Sequence, residues 1–138
     1  MIFPVVDDLL DMTPTLHSHY KSLGGWTFGL YEYQDKDIFS EIDTEEFADL
    51  CSYIDPISYS DRLKTIPKTI NSGTGDILFM IDDANHWWDE GWMETSYLRI
   101  FPNVNHGLSG MVKYVGLREQ AVFGLIAQHD GKEFQNLL

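Results

Sequence analysis

The stretch TINSGTGDILFM, from Thr69 to Met80, decides how the rest of this sequence is interpreted. The residues from Ile66 to Ser72 form a strand candidate that is entered through a proline, and the glycine turn at Gly73 to Gly75 ends it. In an open α/β sheet, ligands and catalytic groups gather at the carboxyl ends of the strands. The stretch therefore predicts that the side chain of Asp76 lies at that edge of the sheet.

A histidine follows the next strand candidate in the corresponding position. The segment SYLRIFP, from Ser96 to Pro102, is typical of a strand, and His106 comes soon after it in FPNVNHG. If the two strands are neighbours, Asp76 and His106 reach the same crevice, where the carboxylate fixes the histidine tautomer and stabilises its protonated form. The neutral imidazole then serves as a general base towards a hydroxyl nucleophile. Spacing alone leaves the alternative open that both residues belong to an ordinary turn and an ordinary loop.

Helix signals alternate with these strands. The segment TPTLHSHYKSLGG predicts a helix with Thr13 as its cap, Pro14 at its first position and the pair Gly24-Gly25 at its end. We expect the polar and aromatic stretch that follows, from Trp26 to Tyr33, to be a loop.

A second helix is predicted by IDTEEFADLCSYI. Asp43 and Glu46 have the spacing of a capping box, and Asp55 followed by proline predicts the end of the helix. The residues expected on its apolar face are Phe47, Leu50 and Ile54.

Three further segments complete the predicted fold. IFPVV, from Ile2 to Val6, is typical of a buried strand, DDANHWWDE predicts a helix, and a last helix is expected from about Met111 to Gln128. The alternation of strands and helices predicts an α/β fold with a small parallel sheet of about three strands flanked by helices. We expect residues 1–138 to form a single domain.

Composition excludes several classes of function. The net charge of −13 repels phosphate backbones and anionic lipids, so nucleic-acid binding and membrane-surface binding are not expected. No apolar run approaches the roughly 20 residues that span a bilayer, and the amino terminus does not resemble a signal peptide. Cys51 is the one cysteine, which excludes an internal disulfide and a cysteine-rich zinc site. No cofactor is predicted, and the composition leaves the localisation open.

Two histidine patterns invite a metal-site interpretation. His17 and His19 are about 200° apart around a helix axis, so they do not bind one ion. Asp82 and His86 share a helix face, but no third ligand is evident. We therefore expect solvated or structural side chains at both places.

Other residues have both a structural and a functional interpretation. Asp7 and Asp8 follow the first predicted strand and either line the crevice of Asp76 or are solvated carboxylates at the start of a loop. The tryptophans either pack in the core or over the active site, or form a stacking surface for sugars or peptides. They are Trp26, Trp87, Trp88 and Trp92.

Three blocks of the sequence resemble a known family. They are VVDDLLDMTPTLHSHYKSLGGWTFGLYEY, IDPISYSDRLKTIPKTINSGTGD and YLRIFPNVNHG, and together they run from about Val5 to Gly110. The blocks resemble the PhoPQ-activated pathogenicity-related family of α/β-hydrolase-like proteins, which includes autocrine proliferation repressors. The resemblance implies that Asp76 is a triad acid and His106 a triad histidine, with peptide or ester substrates. The segment DEGWMETSY departs from the pattern expected before the last strand.

The nucleophile implied by the resemblance is missing. In this fold the serine of a Gly-x-Ser-x-Gly elbow precedes the acid and the histidine, and the sequence contains no such elbow. The resemblance therefore implies a truncated hydrolase-like protein, equivalent to the carboxyl-terminal half of the domain and inactive alone. The alternatives are a secreted regulatory protein that binds a protein partner, and a remnant without independent function. An exposed sheet edge at Ile2 to Val6 predicts self-association.

Overall fold

The computed structural model describes Ile2, residues 10–88, Met93, residues 96–107 and Gly124. Within this part of the chain, helices and short 3-10 turns surround a pair of strands. The strands are β1 (Lys68–Gly73) and β2 (Ser96–Phe101), the α-helices are α1 (Met12–Leu23), α2 (Tyr31–Asp35), α3 (Glu45–Ile54), α4 (Ser60–Leu63) and α5 (Ala84–Trp87), and the 3-10 turns are Phe28–Leu30, Ile38–Ser40, Pro56–Tyr59 and Ile81–Asp83.

The two strands are parallel neighbours, and they carry the predicted segments around Asp76 and His106. Lys68 lies opposite Ser96 and Gly73 opposite Phe101, so both strands end at the same edge of the sheet. The mixed helix and parallel-strand composition confirms the α/β class. A helical segment, α5, lies between the strands in sequence, as a parallel connection requires.

A single bridge places Ile2 beside β1. Ile2 forms a parallel bridge with Lys68, in which the Ile2 N–H donates to the Pro67 carbonyl at 2.9 Å and the Thr69 N–H donates to the Ile2 carbonyl at 3.1 Å. Residues 3–6 lie outside the described residues, so the third strand stays a prediction.

The end of α1 was predicted correctly, but its beginning was not. Gly24 adopts φ 70°, which glycine tolerates best, and its N–H donates to the Tyr20 carbonyl. The N-cap residue is Asp11 rather than Thr13, and the Thr13 hydroxyl donates instead to the Ile42 carbonyl at 3.2 Å. The Thr13 side chain therefore binds the backbone of a residue distant in sequence, instead of capping the helix as its local sequence predicted.

The N-cap of α3 lies one residue after its predicted position. Thr44 rather than Asp43 is the N-cap, and its hydroxyl accepts the Phe47 N–H at 3.2 Å. The helix ends before Asp55-Pro56, as predicted. Only Phe47 of the predicted apolar face is buried, because the helix contacts the core through Phe47 and Cys51 while Leu50 and Ile54 are about half exposed.

The remaining predictions have mixed outcomes. The stretch from Trp26 to Tyr33 is not a plain loop, since it contains the turn Phe28–Leu30 and the start of α2. The predicted helix DDANHWWDE is present as the turn Ile81–Asp83 followed by α5, and its last two residues lie outside the described part. Gly124 is helical, and the rest of the predicted last helix is not among the described residues.

Two hydrophobic clusters hold these elements together. The first lies against β1 and consists of Leu10, Ile70, Trp87 and Met93. The second, called the helical cluster, lies among the helices and consists of Leu16, Leu30, Ile42 and Phe47, with Leu78 packed against it. Leu78 belongs to the loop after β1, so this loop is attached to the helices as well as to the sheet. No helix within the described segments has the length and apolarity needed to cross a membrane.

Candidate functional site

The loops that follow β1 and β2 are joined by hydrogen bonds at the edge of the sheet. The Thr74 N–H donates to the Phe101 carbonyl at 3.0 Å, and the Gly75 N–H donates to the Val104 carbonyl at 2.9 Å. The Asn103 N–H donates to the Thr74 hydroxyl at 2.8 Å. These contacts fix the position of each loop relative to the other.

Glycine at the end of β1 allows the two loops to approach closely. A Cβ atom on Gly73 would overlap the backbone carbonyl of Val104, and a Cβ on Gly75 would lie 3.3 Å from the same oxygen. The glycine turn noted in the sequence therefore has a steric reason in the tertiary structure rather than a local one, since neither Gly73 nor Gly75 adopts a positive φ.

Asp76 is held by backbone donors on its own loop. Its side chain is 1 % exposed, and its Oδ1 atom accepts the N–H groups of Leu78 at 2.8 Å and Phe79 at 3.1 Å. The Asp76 N–H donates back to the Gly73 carbonyl at 3.1 Å. This arrangement fixes the orientation of the carboxylate and leaves its second oxygen, Oδ2, directed at the neighbouring loop.

His106 lies against that second oxygen. Its Nδ1 atom is 3.0 Å from Asp76 Oδ2, and its ring stands edge-on to Phe79 with the ring centroids 5.0 Å apart. Because a carboxylate oxygen accepts hydrogen bonds, the contact assigns the proton of the neutral imidazole to Nδ1 and leaves a lone pair on Nε2. The side chain is 38 % exposed, so the imidazole is accessible to another molecule.

The chain as a whole matches a known family. Residues 1–131 match the sequence model of the PhoPQ-activated pathogenicity-related proteins. The chain belongs to this family.

A curated relative of this PhoPQ-activated pathogenicity-related protein is the autocrine proliferation repressor protein A of Dictyostelium discoideum. The two are 29 % identical over 110 residues, which cover 79 % of this chain and 22 % of the relative. The chain thus spans about a fifth of the length of that relative. No solved structure matches the chain.

The two histidines of α1, His17 and His19, lie in different environments. His17 is exposed, and its Nε2 atom lies 2.7 Å from Asp43 Oδ1. His19 is buried, and its Nε2 atom accepts from the backbone N–H of Thr27 at 3.4 Å. Among the residues that the structure describes, no three potential metal-binding side chains come together.

A buried carboxyl group next to Asp82 was missed by the sequence analysis. Asp83 has no exposed surface, and its Oδ2 atom accepts the Met80 N–H at 3.1 Å. Burial raises the pKa of Asp83 to about 6, although hydrogen bonds from Met80 and Ser18 oppose the rise. The sequence offered only an Asp-Asp pair at a helix start, which is more typical of solvated carboxylates. His86, four residues after Asp82, is exposed.

The tryptophans do not share one surface among the described residues. Trp26 stacks on Phe39 and packs against the helical cluster. Trp87 is fully buried in the hydrophobic cluster beside β1, and Trp88 packs against that same cluster. Trp92, together with Asp7 and Asp8, lies outside the described residues.

Two other side chains have environments that do not suit a nucleophile. Ser72 is buried within β1. The Sγ atom of Cys51 lies 3.9 Å from the Sδ atom of Met12, and burial together with the charges of Asp55 and Asp11 raises the pKa of the thiol. A raised pKa keeps Cys51 in the less reactive thiol form.

Proposed function

We propose that this family member carries the acid and the histidine of a serine-hydrolase triad, with Asp76 orienting His106 as the general base. The observation that supports the proposal is the 3.0 Å contact between His106 Nδ1 and the buried carboxylate of Asp76. A fixed Nδ1 proton leaves Nε2 free to take a proton from a hydroxyl nucleophile, and the carboxylate stabilises the resulting imidazolium. The substrate class we propose is peptides or esters.

We further propose that the chain is inactive alone and corresponds to the carboxyl-terminal half of an α/β-hydrolase-like domain with about three parallel strands. The sequence contains no Gly-x-Ser-x-Gly elbow, and in that fold the elbow and the oxyanion-binding backbone come from earlier segments. The bridge between Ile2 and Lys68 supports a further strand on the free side of β1. The short alignment with the much longer relative is consistent with a nucleophile on another part of a longer protein.

The first test is hydrolysis of small ester and aminopeptide substrates by the purified chain. We expect no turnover above the buffer rate, because loss of the nucleophile from such a triad typically costs about a million-fold in turnover. Turnover that His106→Ala abolishes would show that the chain holds a nucleophile of its own and would contradict the proposed inactivity.

The second test joins the chain to the rest of the longer relative. The chain replaces the aligned 110 residues of the Dictyostelium relative, and the chimaera is treated with a fluorophosphonate probe that labels activated serines. We expect labelling that falls at least about a thousand-fold in rate with His106→Ala, because the serine loses its base. His17→Ala is the matched control, since that imidazole pairs with Asp43 on the exposed face of α1. A folded chimaera that never reacts, or one that reacts without His106, would contradict the assignment.

The name of the relative supports a second candidate, a secreted regulatory protein that acts by binding a protein partner. Under this proposal the purified chain slows the proliferation of responsive cells, and the effect survives both Asp76→Asn and His106→Gln. If either substitution removes the effect, catalysis is favoured instead. Self-association through the sheet edge near Ile2 is a related proposal, and sedimentation equilibrium over a hundred-fold range of concentration tests it.

A further inference from the structure

We propose that Phe79 is a positioning residue for the Asp76–His106 pair, because its backbone binds the acid and its ring restrains the histidine. The inference rests on the proposed function, since positioning matters only if the pair is used. The sequence pattern did not single out Phe79, which stands among the apolar residues that follow the glycine turn.

The backbone of Phe79 is one of the two donors that orient the Asp76 carboxylate. Its N–H donates to Asp76 Oδ1 at 3.1 Å, and the Leu78 N–H donates to the same oxygen at 2.8 Å. Because Oδ1 accepts both donors, the carboxylate presents Oδ2 to His106 Nδ1 at 3.0 Å. The Asp76 side chain is 1 % exposed, so these hydrogen bonds are shielded from water.

The ring of Phe79 contacts the imidazole that this carboxylate binds. The centroids of the two rings are 5.0 Å apart and their planes meet at 76°, an edge-to-face arrangement that aromatic pairs favour. One hydrogen bond fixes the position of Nδ1, but it leaves the imidazole of His106 free to pivot about that atom. The contact with Phe79 removes part of this freedom and so limits the directions in which Nε2 points.

The direction of Nε2 matters because this atom is the proposed base. A general base works only within hydrogen-bonding distance of the proton that it accepts, so an imidazole that pivots spends less time in that geometry. The side chain of His106 is 38 % exposed and is therefore not held by burial alone. Phe79 supplies the orientation that the carboxylate does not.

The experiment measures how often His106 leaves the carboxylate in the full 138-residue chain labelled with ¹⁵N-histidine. The Nδ1–H proton exchanges with water when its hydrogen bond opens, so its exchange rate at neutral pH reports the open fraction. Phe79→Leu removes the ring and keeps the backbone N–H that binds Asp76. An aromatic pair of this kind changes a population by roughly two- to ten-fold, so we expect the exchange rate to rise by that factor. Phe79→Tyr retains the ring and should exchange at close to the native rate.

A matched substitution separates the ring contact from a general effect of losing a phenylalanine. Phe28 is 70 % exposed on the turn before α2, so Phe28→Leu should leave the exchange rate unchanged. Urea unfolding of each variant shows whether a change in rate follows the global stability instead. If Phe79→Leu leaves the rate unchanged, if Phe28→Leu raises it equally, or if Phe79→Tyr does not restore it, the positioning role is wrong.

Asp76→Asn separates this inference from the proposed function. The asparagine oxygen accepts the two backbone donors, so its amide N–H groups face Nδ1 of His106 and favour the Nε2–H tautomer. We therefore expect long-range ¹H–¹⁵N correlations to show the Nδ1–H form in the native chain and its loss in Asp76→Asn. If that change occurs and Phe79→Leu has no effect, the positioning role is wrong while the pair stands.

Two further outcomes complete the test. If Asp76→Asn leaves the His106 signal unchanged, or if the native chain lacks the Nδ1–H form, the pair and the proposed function are both wrong. If Phe79→Leu and Phe79→Met both lose the spectrum of a folded protein, the ring serves the core and the inference is wrong.

Discussion

The backbone carbonyl of Val104 occupies the space in front of the Cα atom of Gly73, where any other residue would carry its Cβ. The same carbonyl accepts the Gly75 N–H at 2.9 Å, so it cannot retreat without breaking the contact between the two loops. The distance between Asp76 and His106 depends on this approach, because one follows Gly73 and the other follows Val104 within a few residues.

Gly73→Ala is expected to destabilise the fold and to separate the pair. The obstructing atom belongs to the backbone and cannot rotate away, so we expect a loss of about 1–3 kcal/mol in the free energy of unfolding, measured by urea titration. The tautomer of His106, measured from long-range ¹H–¹⁵N correlations in the ¹⁵N-histidine-labelled chain, should change as well. Gly25→Ala is the matched control, because nothing lies within 4 Å of a Cβ at that position. Equal stability of the two variants would contradict this account of the loop contact.

Asp55→Asn is expected to loosen the junction between α1 and α3. Asp55 is 2 % exposed, and its two carboxylate oxygens accept the Met12 N–H at 2.9 Å and the Ile57 N–H at 3.1 Å. An asparagine has one acceptor oxygen, so one of these N–H groups is left facing an amide donor. We expect a loss of about 1–3 kcal/mol in urea unfolding. The exposed Asp49 on α3 provides the control, and a similar loss in Asp49→Asn would point to net charge instead.

Asp83→Asn is expected to stabilise the protein at neutral pH but not at pH 4. The folded pKa of about 6 lies above the ordinary value of 3.8, so between these values the folded protein holds a proton that the unfolded chain has released. The contribution of Asp83 to stability therefore falls as the pH rises from about 4 to about 6. The variant removes this fall, which is at most about 3 kcal/mol.

Urea midpoints of the native chain and of Asp83→Asn across pH 4 to 7.5 provide the measurement. The asparagine oxygen still accepts the Met80 N–H, so the turn that starts at Ile81 is preserved. The exposed Asp35 serves as a control, and Asp35→Asn should leave the pH profile unchanged. Parallel profiles for the native chain and for Asp83→Asn would show that the carboxyl group titrates normally.

Thr44→Ala is expected to shorten α3 from its amino end. The Thr44 hydroxyl accepts the Phe47 N–H, and Phe47 is the residue through which α3 contacts the helical cluster. Removal of an N-cap hydroxyl typically costs about 1 kcal/mol, which urea unfolding monitored by circular dichroism resolves. Thr44→Ser retains the acceptor and should be close to the native chain. If serine and alanine are equally destabilising, the threonine methyl group rather than the cap is what matters.

The part of the fold that was predictable depends on local signals. Pro67, the glycine turn and the alternation of strands and helices defined β1, β2 and the placement of Asp76 and His106 at the ends of two segments. These signals act within a few residues of the chain, so the sequence alone displays them.

The features that could not be predicted depend on contacts between distant residues. Asp55 was expected only to end a helix, yet its carboxylate accepts a hydrogen bond from the N–H of Met12, which lies 43 residues earlier in the chain. Thr13 was expected to cap α1, yet its hydroxyl reaches Ile42 across the helical cluster. His19 likewise takes its hydrogen-bond partner, Thr27, and its stacking partner, Trp26, from the segment after α1, which its position on a helix does not reveal.

The bonds that Thr74 and Gly75 make to Phe101 and Val104 run between main-chain atoms. Most amino acids can supply such atoms, so apart from Gly73 and Gly75 the composition of these loops can change and still leave an imidazole beside a carboxylate. A geometry that the main chain encodes in this way does not depend on a reaction to maintain it. Its presence is therefore not by itself evidence of catalysis, which also requires a nucleophile within reach of the imidazole.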